Sequence, residues 1–214
     1  MIAKYIIYFM IMGMIGYLYE CTAMTLWLGR WDNRGSLYGP FIPIYGAGAL
    51  IGTLLFTYVL PDHSPLLVFM IGMCGSALLE YPVHWLIEKY LHTSYWNYSR
   101  SPLNLHGRIC LPAAVGFGVG VIVIIYGINR ILIPWIAGLS DQTAAAIAGI
   151  FLVLFVSDIV LSFRSVRGKR NFLDALEERI NAGMTALIAK FINESHSFDR
   201  YFFFVVDKIS SVFK

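Results

Sequence analysis

Charge is scarce in this sequence. Only 14% of the 214 residues are Asp, Glu, Lys or Arg, where a soluble domain carries about a quarter. A single soluble domain of this size exposes too much surface to hide a composition that is 58% apolar. The same figures exclude a disordered chain and a collagen-like repeat. The net charge of +3 is small and scattered through apolar sequence, so no nucleic-acid surface is expected. Cysteine is sparse as well. Cys21, Cys74 and Cys110 are odd in number, far apart and embedded in apolar runs, which suits small buried hydrophobes rather than a disulfide or a metal site.

The usual catalytic signatures are also missing. The chain has no Gly-x-x-x-x-Gly-Lys-Ser/Thr loop, no Gly-x-Ser-x-Gly and no His-Glu-x-x-His. Gly168-Lys169-Arg170 is only a basic patch, so an ATP-driven role would need a separate ATPase subunit. No cofactor and no metal is expected, and the balance falls against an enzyme. No small-residue cleavage pattern closes the first apolar stretch, so the first helix is expected to be kept.

What the sequence does have is long hydrophobic runs. A helix needs about 20 apolar residues to cross the hydrocarbon core. Five stretches qualify, at about Tyr5 to Leu28, Phe41 to Leu60, Leu66 to Leu91, Ile109 to Ile128 and Thr143 to Phe163. Ile131 to Leu139 is too short and reads as an interfacial turn or an extension of the fourth helix. The fold expected is an all-α integral membrane protein of about five transmembrane helices.

Lys/Arg bias in the short loops sets the orientation. Arg30, Arg34, Lys89, Arg100, Arg108, Arg164, Arg167, Lys169 and Arg170 fall on one side, against Lys4 and Arg130 on the other. Nine against two predicts a multi-pass protein of the inner (cytoplasmic) membrane, N-terminus outside and C-terminus in the cytoplasm. The chain divides into a transmembrane domain, 1–165, and a basic, amphipathic cytoplasmic tail, 166–214. In the tail Phe172, Leu173, Leu176, Ile180, Leu187, Ile188 and Phe191 recur at helical spacing, and a second apolar piece runs from Tyr201 to Val206. Such helices lie on the inner leaflet, dock on a partner, or pack back on the protein's own loops.

Spans one and three share a plan. Each has a Gly and then a Glu, Gly16 with Glu20 and Gly75 with Glu80. Each runs into a loop with a Trp, Trp31 or Trp96. Each loop leads into the next span through Leu-x-Gly with a Pro close behind, at Leu37 to Pro43 and Leu105 to Pro112. This would be a parallel two-helix repeat about an axis along the membrane normal.

Charges inside spans are costly and mark function. Glu20, Glu80, Glu88 and Asp158, with Arg34 and Arg108 at the starts of spans two and four, all fall toward the cytoplasmic side. Glu80, His84, Glu88 and His92 form a stripe at four-residue spacing, able to pair with the arginines, relay protons or share a metal. Gly- and Pro-rich helix starts beside an arginine leave backbone N–H groups free for an anion. Gly48-x-x-x-Gly52 and Gly116-x-Gly118-x-Gly120 allow close helix contacts, within the chain or in a homodimer.

Glu20, Arg34-Gly35-Ser36-Leu37-Tyr38-Gly39-Pro40, Pro43-Ile44-Tyr45-Gly46, Leu79-Glu80-Tyr81, Trp96-Asn97-Tyr98-Ser99 and Asn104-Leu105-His106-Gly107-Arg108-Ile109 together resemble one bacterial family. It is the family of ABC-transporter type IV, or CmpB-like permease, membrane proteins, and the resemblance covers about residues 5 to 125. An Asp commonly stands in that family where this chain has Asn97. The resemblance implies transport. The expected function is a permease-like protein whose cytoplasm-facing polar cavity of paired Glu and Arg binds an anionic solute or lipid group. The candidate residues are Glu20, Arg34, Tyr38, Glu80, His84, Glu88, Asn104 and Arg108. Expected partners are membrane lipids, a separate ATPase or other membrane subunit, and a second copy of the chain. The rival readings are a membrane enzyme gripping a lipid phosphate and a non-catalytic regulator or anchor.

Overall fold

A computed structural model describes residues 1–35, 37–166 and 172–194. They form helices α1 (Ile2–Leu28), α2 (Pro43–Leu54), α3 (Pro65–Leu91), α4 (Leu111–Val123), α5 (Asn129–Ala137), α6 (Asp141–Val166) and α7 (Phe172–Glu194). A two-residue hairpin, β1 (Asn104–Leu105) with β2 (Ile109–Cys110), precedes α4. The protein is an all-α membrane protein. The expected apolar piece at Tyr201 to Val206, and Arg167, Lys169 and Arg170, lie outside the described residues.

Among the described residues, four helical stretches are long and apolar enough to cross a bilayer: Ile2–Leu28, Pro65–Leu91, Leu111–Ala137 and Asp141–Arg164. The third of these runs on from α4 through a π-helical turn (Ile124–Ile128) into α5, so Ile131 to Leu139 is an extension of the fourth helix and not a separate turn. The expected second span is shorter than its sequence suggests. It comprises α2 and a π-helical turn, Leu55–Val59, about 25 Å in all, close to the lower limit for crossing. Its expected first residues, Phe41 and Ile42, are not helical, because a residue before proline is pushed out of the α region: Ile42 sits at φ −120°, ψ 105°.

The chain ends of these helices gather on two faces. On the first face, Lys4 Nζ donates to the Ala137 carbonyl at 2.8 Å and the Tyr5 and Tyr58 hydroxyls meet at 3.2 Å. Tyr126 reaches the His63 carbonyl there at 3.2 Å. The second face carries the two long connections, 29–42 and 92–110. Near the first face lies a buried polar triad. The Tyr8 hydroxyl lies 2.8 Å from Thr53 Oγ1 and donates to Asn129 Oδ1 at 2.8 Å, while Asn129 Nδ2 donates to Thr53 at 2.9 Å. It sits inside an apolar core of Ile7, Met12, Ala49, Ile136, Ala144 and Ala148, which seats α1 among α2, α5 and α6.

α1 ends at Gly29, which takes the left-handed φ of 64° that releases the chain. The strand that follows runs back along α1 instead of leaving it. Asp32 N–H bonds Thr25 Oγ1, Arg34 N–H bonds Cys21 Sγ, and Ile42 N–H reaches the Gly13 carbonyl at 3.1 Å. Gly13 lies 15 residues before the end of α1, so the return segment travels about 22 Å along the helix. Non-helical backbone at such depth must be satisfied by protein. Asp158 of α6 does this, accepting the Tyr38 N–H at 3.0 Å and the Gly39 N–H at 2.9 Å.

The second connection also folds back, by another device. His106 and Gly107 both have positive φ, 53° and 67°, and Arg108 N–H bonds the Leu105 carbonyl at 3.0 Å. Leu105 pairs with Ile109, so the hairpin loop is the three residues 106–108, the first two of them left-handed. It aims Arg108 back at α3.

The expected repeat has structural counterparts. α1 and α3 each span 27 residues and each ends on a left-handed residue, Gly29 or His92. α2 and α4 each begin with a proline in the first turn after an extended residue, and each passes into a π-helical turn of 5 residues. Phe9-Met10-Ile11 and Phe69-Met70-Ile71 are identical, and a Glu follows at the same distance in both, Glu20 and Glu80. The backbone carbonyl of each Phe lies against a glycine of the following helix, Gly46 or Gly118.

Candidate functional site

Glu20 stands eight residues before the end of α1, about 12 Å in from it, and faces the return segment. Arg34 therefore meets it: Nε lies 3.6 Å from Glu20 Oε2, and the other end of the guanidinium lies 3.7 Å from Asp32 Oδ2. Both distances are ion-pair contacts beyond hydrogen-bond range. The Arg34 Nε is buried and makes no hydrogen bond. Tyr45, one turn into α2, donates its hydroxyl to the other oxygen of Glu20. Gly16 permits this, since the Tyr45 ring occupies the space a Cβ would need there.

Glu80 of α3 comes toward the same place but takes no arginine. It is buried, 6% exposed, and its partner is the Tyr98 hydroxyl from the second connection. Burial raises the Tyr98 phenol above its ordinary value, and the nearby Glu80 and Glu20 carboxylates push it further. Glu20, Arg34, Tyr45, Glu80 and Tyr98 thus form one cluster, contributed by both repeat units.

Arg108 belongs to a second cluster. Its guanidinium donates to Glu88 Oε2 at 2.7 and 3.3 Å and to the Tyr81 hydroxyl at 3.1 Å, while its carbon lies over the Tyr81 ring at 5.2 Å. The bond to Glu88 holds the guanidinium above its ordinary value. His84, 7% exposed, has Nε2 at 2.9 Å from the Trp96 carbonyl, which makes Nε2 the protonated nitrogen. Its Nδ1 is buried without a hydrogen-bond partner and lies 4.0 Å from Glu88. The Trp96 indole in turn donates to the Arg108 carbonyl at 2.9 Å, so loop and helix lock together around this pair.

The structure therefore divides the candidate glutamates and arginines between two clusters. Glu20 has Arg34, Arg108 has Glu88, and Glu80 has a tyrosine in place of an arginine. Helical periodicity places Glu80 and Glu88 on one stripe; which of them the hairpin reaches depends on its turn. The stripe ends there: His92 is the left-handed cap that closes α3. Asn104 is exposed and spends its amide on the hairpin, donating to the Ser101 carbonyl at 2.9 Å and accepting from Gly107 N–H at 3.1 Å. Tyr38 turns away from the cluster, and its hydroxyl donates to Asp174 of α7 at 2.5 Å. Tyr45 and Tyr98 are the site residues that sequence reasoning passed over. Tyr45 sits in the proline- and glycine-rich start of the second span, and Tyr98 in the Trp96-Asn97-Tyr98 run, so both were visible as aromatics at the right depth. Among the described residues no group of three or more His, Cys, Asp or Glu is placed to hold a metal ion.

A bundle of apolar helices enclosing a charged cluster where two irregular connections fold back is a multi-pass membrane protein. Over residues 7–163 the chain matches the family described as "Putative ABC-transporter type IV", and it belongs to that family. No curated protein and no solved structure matches it.

Proposed function

We propose that this chain is a transport-type membrane protein in which Arg34 receives the anionic group of a solute or lipid. The observation that carries the reading is the state of Arg34: a buried Nε without a hydrogen bond, held by two carboxylates at 3.6 and 3.7 Å. A guanidinium saves its strongest contacts for a bidentate anion. An incoming carboxylate or phosphate would displace Glu20, whose other oxygen stays with Tyr45. Arg108 is poorly suited to this role, since its donors are already taken by Glu88 and Tyr81.

The second face is the cytoplasmic one in this reading, following the nine-to-two basic bias, with α7 and the tail beyond it in the cytoplasm. The energy would come from a separate ATPase or other subunit, as the chain has no phosphate-binding loop of its own. An enzyme acting on a lipid phosphate would want a base beside Arg34. The buried His84 Nδ1 is the nearest candidate in kind, but it faces Glu88.

The test is thermal stabilisation of the purified protein by inorganic phosphate, by a dicarboxylate and by phosphatidylglycerol, with phosphatidylcholine as control. Arg34→Gln should abolish the anion-dependent shift. Arg108→Gln should lower the baseline and keep the shift, and Glu20→Gln should enlarge it by removing the competing carboxylate. An undiminished shift in Arg34→Gln would overturn the reading. Phosphate and dicarboxylate acting without lipid point to a solute, and phosphatidylglycerol alone to a lipid.

A further inference from the structure

Helix α7 docks the wrong way round for an ordinary amphipathic helix. Its polar side faces the protein: Asp174 accepts from the Tyr38 hydroxyl, Glu177 from Asn33 Nδ2 at 3.1 Å, and Asn181 from the Trp31 indole at 3.0 Å. All three partners lie on the return segment that carries Arg34. Its apolar residues Leu176, Ile180 and Leu187 are left 42, 55 and 62% exposed. At about 100° per residue these three fall within an arc of about 40°, roughly a third of a turn from the docked side. Arg179 and Lys190 lie about 60–80° beyond the stripe on its other side, and Glu178 lies opposite it.

From this arrangement we infer that the Leu176–Ile180–Leu187 stripe of α7 lies in the interfacial layer of the bilayer that the bundle spans, against anionic lipid headgroups. Three observations converge on that occupant. The helix is fastened to the segment joining two apolar helices, on the face of the bundle that carries the two long connections, so it sits beside the membrane-crossing part of the chain. The bases Arg179 and Lys190 line the free flank of the stripe, while the acids Asp174 and Glu177 on its other flank are engaged by the return segment and Glu178 lies opposite. Exposed Arg30, Arg100 and Arg164 surround the same end of the bundle, so the protein presents positive charge where anionic lipid would meet it. A helix seated this way ties lipid contact to the position of the return segment. The reading is independent of what Arg34 binds.

The experiment places a fluorophore at Leu187→Cys, and separately at Ala182→Cys on the opposite side, in the full-length chain carrying Cys74→Ala. The protein is reconstituted into vesicles of phosphatidylcholine and phosphatidylglycerol. Lipids spin-labelled high on the acyl chain should quench the probe at 187 several-fold more than the probe at 182, and aqueous iodide should show the reverse order. Iodide quenching both probes equally would overturn the proposal, because the stripe would then face water. Protection from both quenchers at 187 would overturn it too, since the stripe would then be covered by protein. Leu187→Cys sits on an exposed surface, and Ile180→Cys provides a second reading of the same stripe if the first variant fails to fold.

Discussion

Asp158 of α6 holds Tyr38 across 120 positions of sequence, accepting its backbone N–H at 3.0 Å while the other carboxylate oxygen takes Gly39 N–H at 2.9 Å. Ser162, one turn on, donates to Asp158 at 3.1 Å. A side chain from the last membrane helix thus does for the return segment what a neighbouring strand would do in a sheet. Asp158→Ala should leave the part-buried Gly39 N–H without an acceptor and the Tyr38 N–H with Ser162 Oγ alone, at 3.2 Å, costing about 1–3 kcal/mol. Asp158→Asn, which keeps one acceptor, should cost less, and Ser162→Ala less again. Unfolding of the detergent-solubilised protein measures the order, and equal losses for all three would count against this account.

Two glycines should be intolerant of a methyl group. A Cβ on Gly46 would lie 2.5 Å from the Phe9 carbonyl oxygen, and one on Gly118 would lie 2.9 Å from that of Phe69. Backbone cannot give way as a side-chain tip can, so Gly46→Ala and Gly118→Ala should each cost about 1–3 kcal/mol or more. Gly116 and Gly120 have open space around them, and alanine there should be neutral. Melting temperatures of the four variants decide the matter.

The triad of Tyr8, Thr53 and Asn129 should behave as one unit. Tyr8→Phe and Asn129→Ala each remove bonds from the same ring, so each should cost about 0.5–2 kcal/mol. The double variant should cost clearly less than the sum. Simple additivity would show that the three groups do not depend on one another.

Docking of α7 should tighten as pH falls. Burial, and then the neighbouring Asp174, raise the Glu177 carboxyl above its ordinary 4.5. A carboxyl with a raised docked value opposes docking when ionised, and that opposition is relieved as pH drops through the raised value toward 4.5. Spin-label mobility at Ala182→Cys should decrease over that interval. Glu177→Gln, which keeps the acceptor oxygen for Asn33, should remove most of the pH dependence.

Sequence legibility followed hydropathy closely and failed where polar groups decide. The first, third and fifth spans were readable because their apolar runs are unbroken. The second was read two residues too early, because Phe41 and Ile42 are apolar whether or not they are helical. Asp158 and Ser162, far away in sequence, satisfy the extended backbone just before them. For the fourth, hydropathy leaves Ile131 to Leu139 open between an interfacial turn and an extension; the extension is what forms, with Pro134 inside α5 and the helix continuing to Ala137. The Glu20–Arg34 approach was legible from depth and loop position. The pairing of Arg108 with Glu88 instead of Glu80 was not, since it depends on the two left-handed residues of a tight turn. Of the alternatives open to α7, packing on the protein's own loop is the one seen. The hydrophobic pattern pointed to the other side of the helix, because it has no means to weigh three specific hydrogen bonds.

The matching halves α1–α2 and α3–α4 place Glu20 and Glu80 at corresponding positions, yet their environments differ, an arginine with a tyrosine for one and a tyrosine alone for the other. The asymmetry gives the protein one guanidinium beside two carboxyls, a combination that a strictly symmetric pair, which carries every group in equal number, could never present.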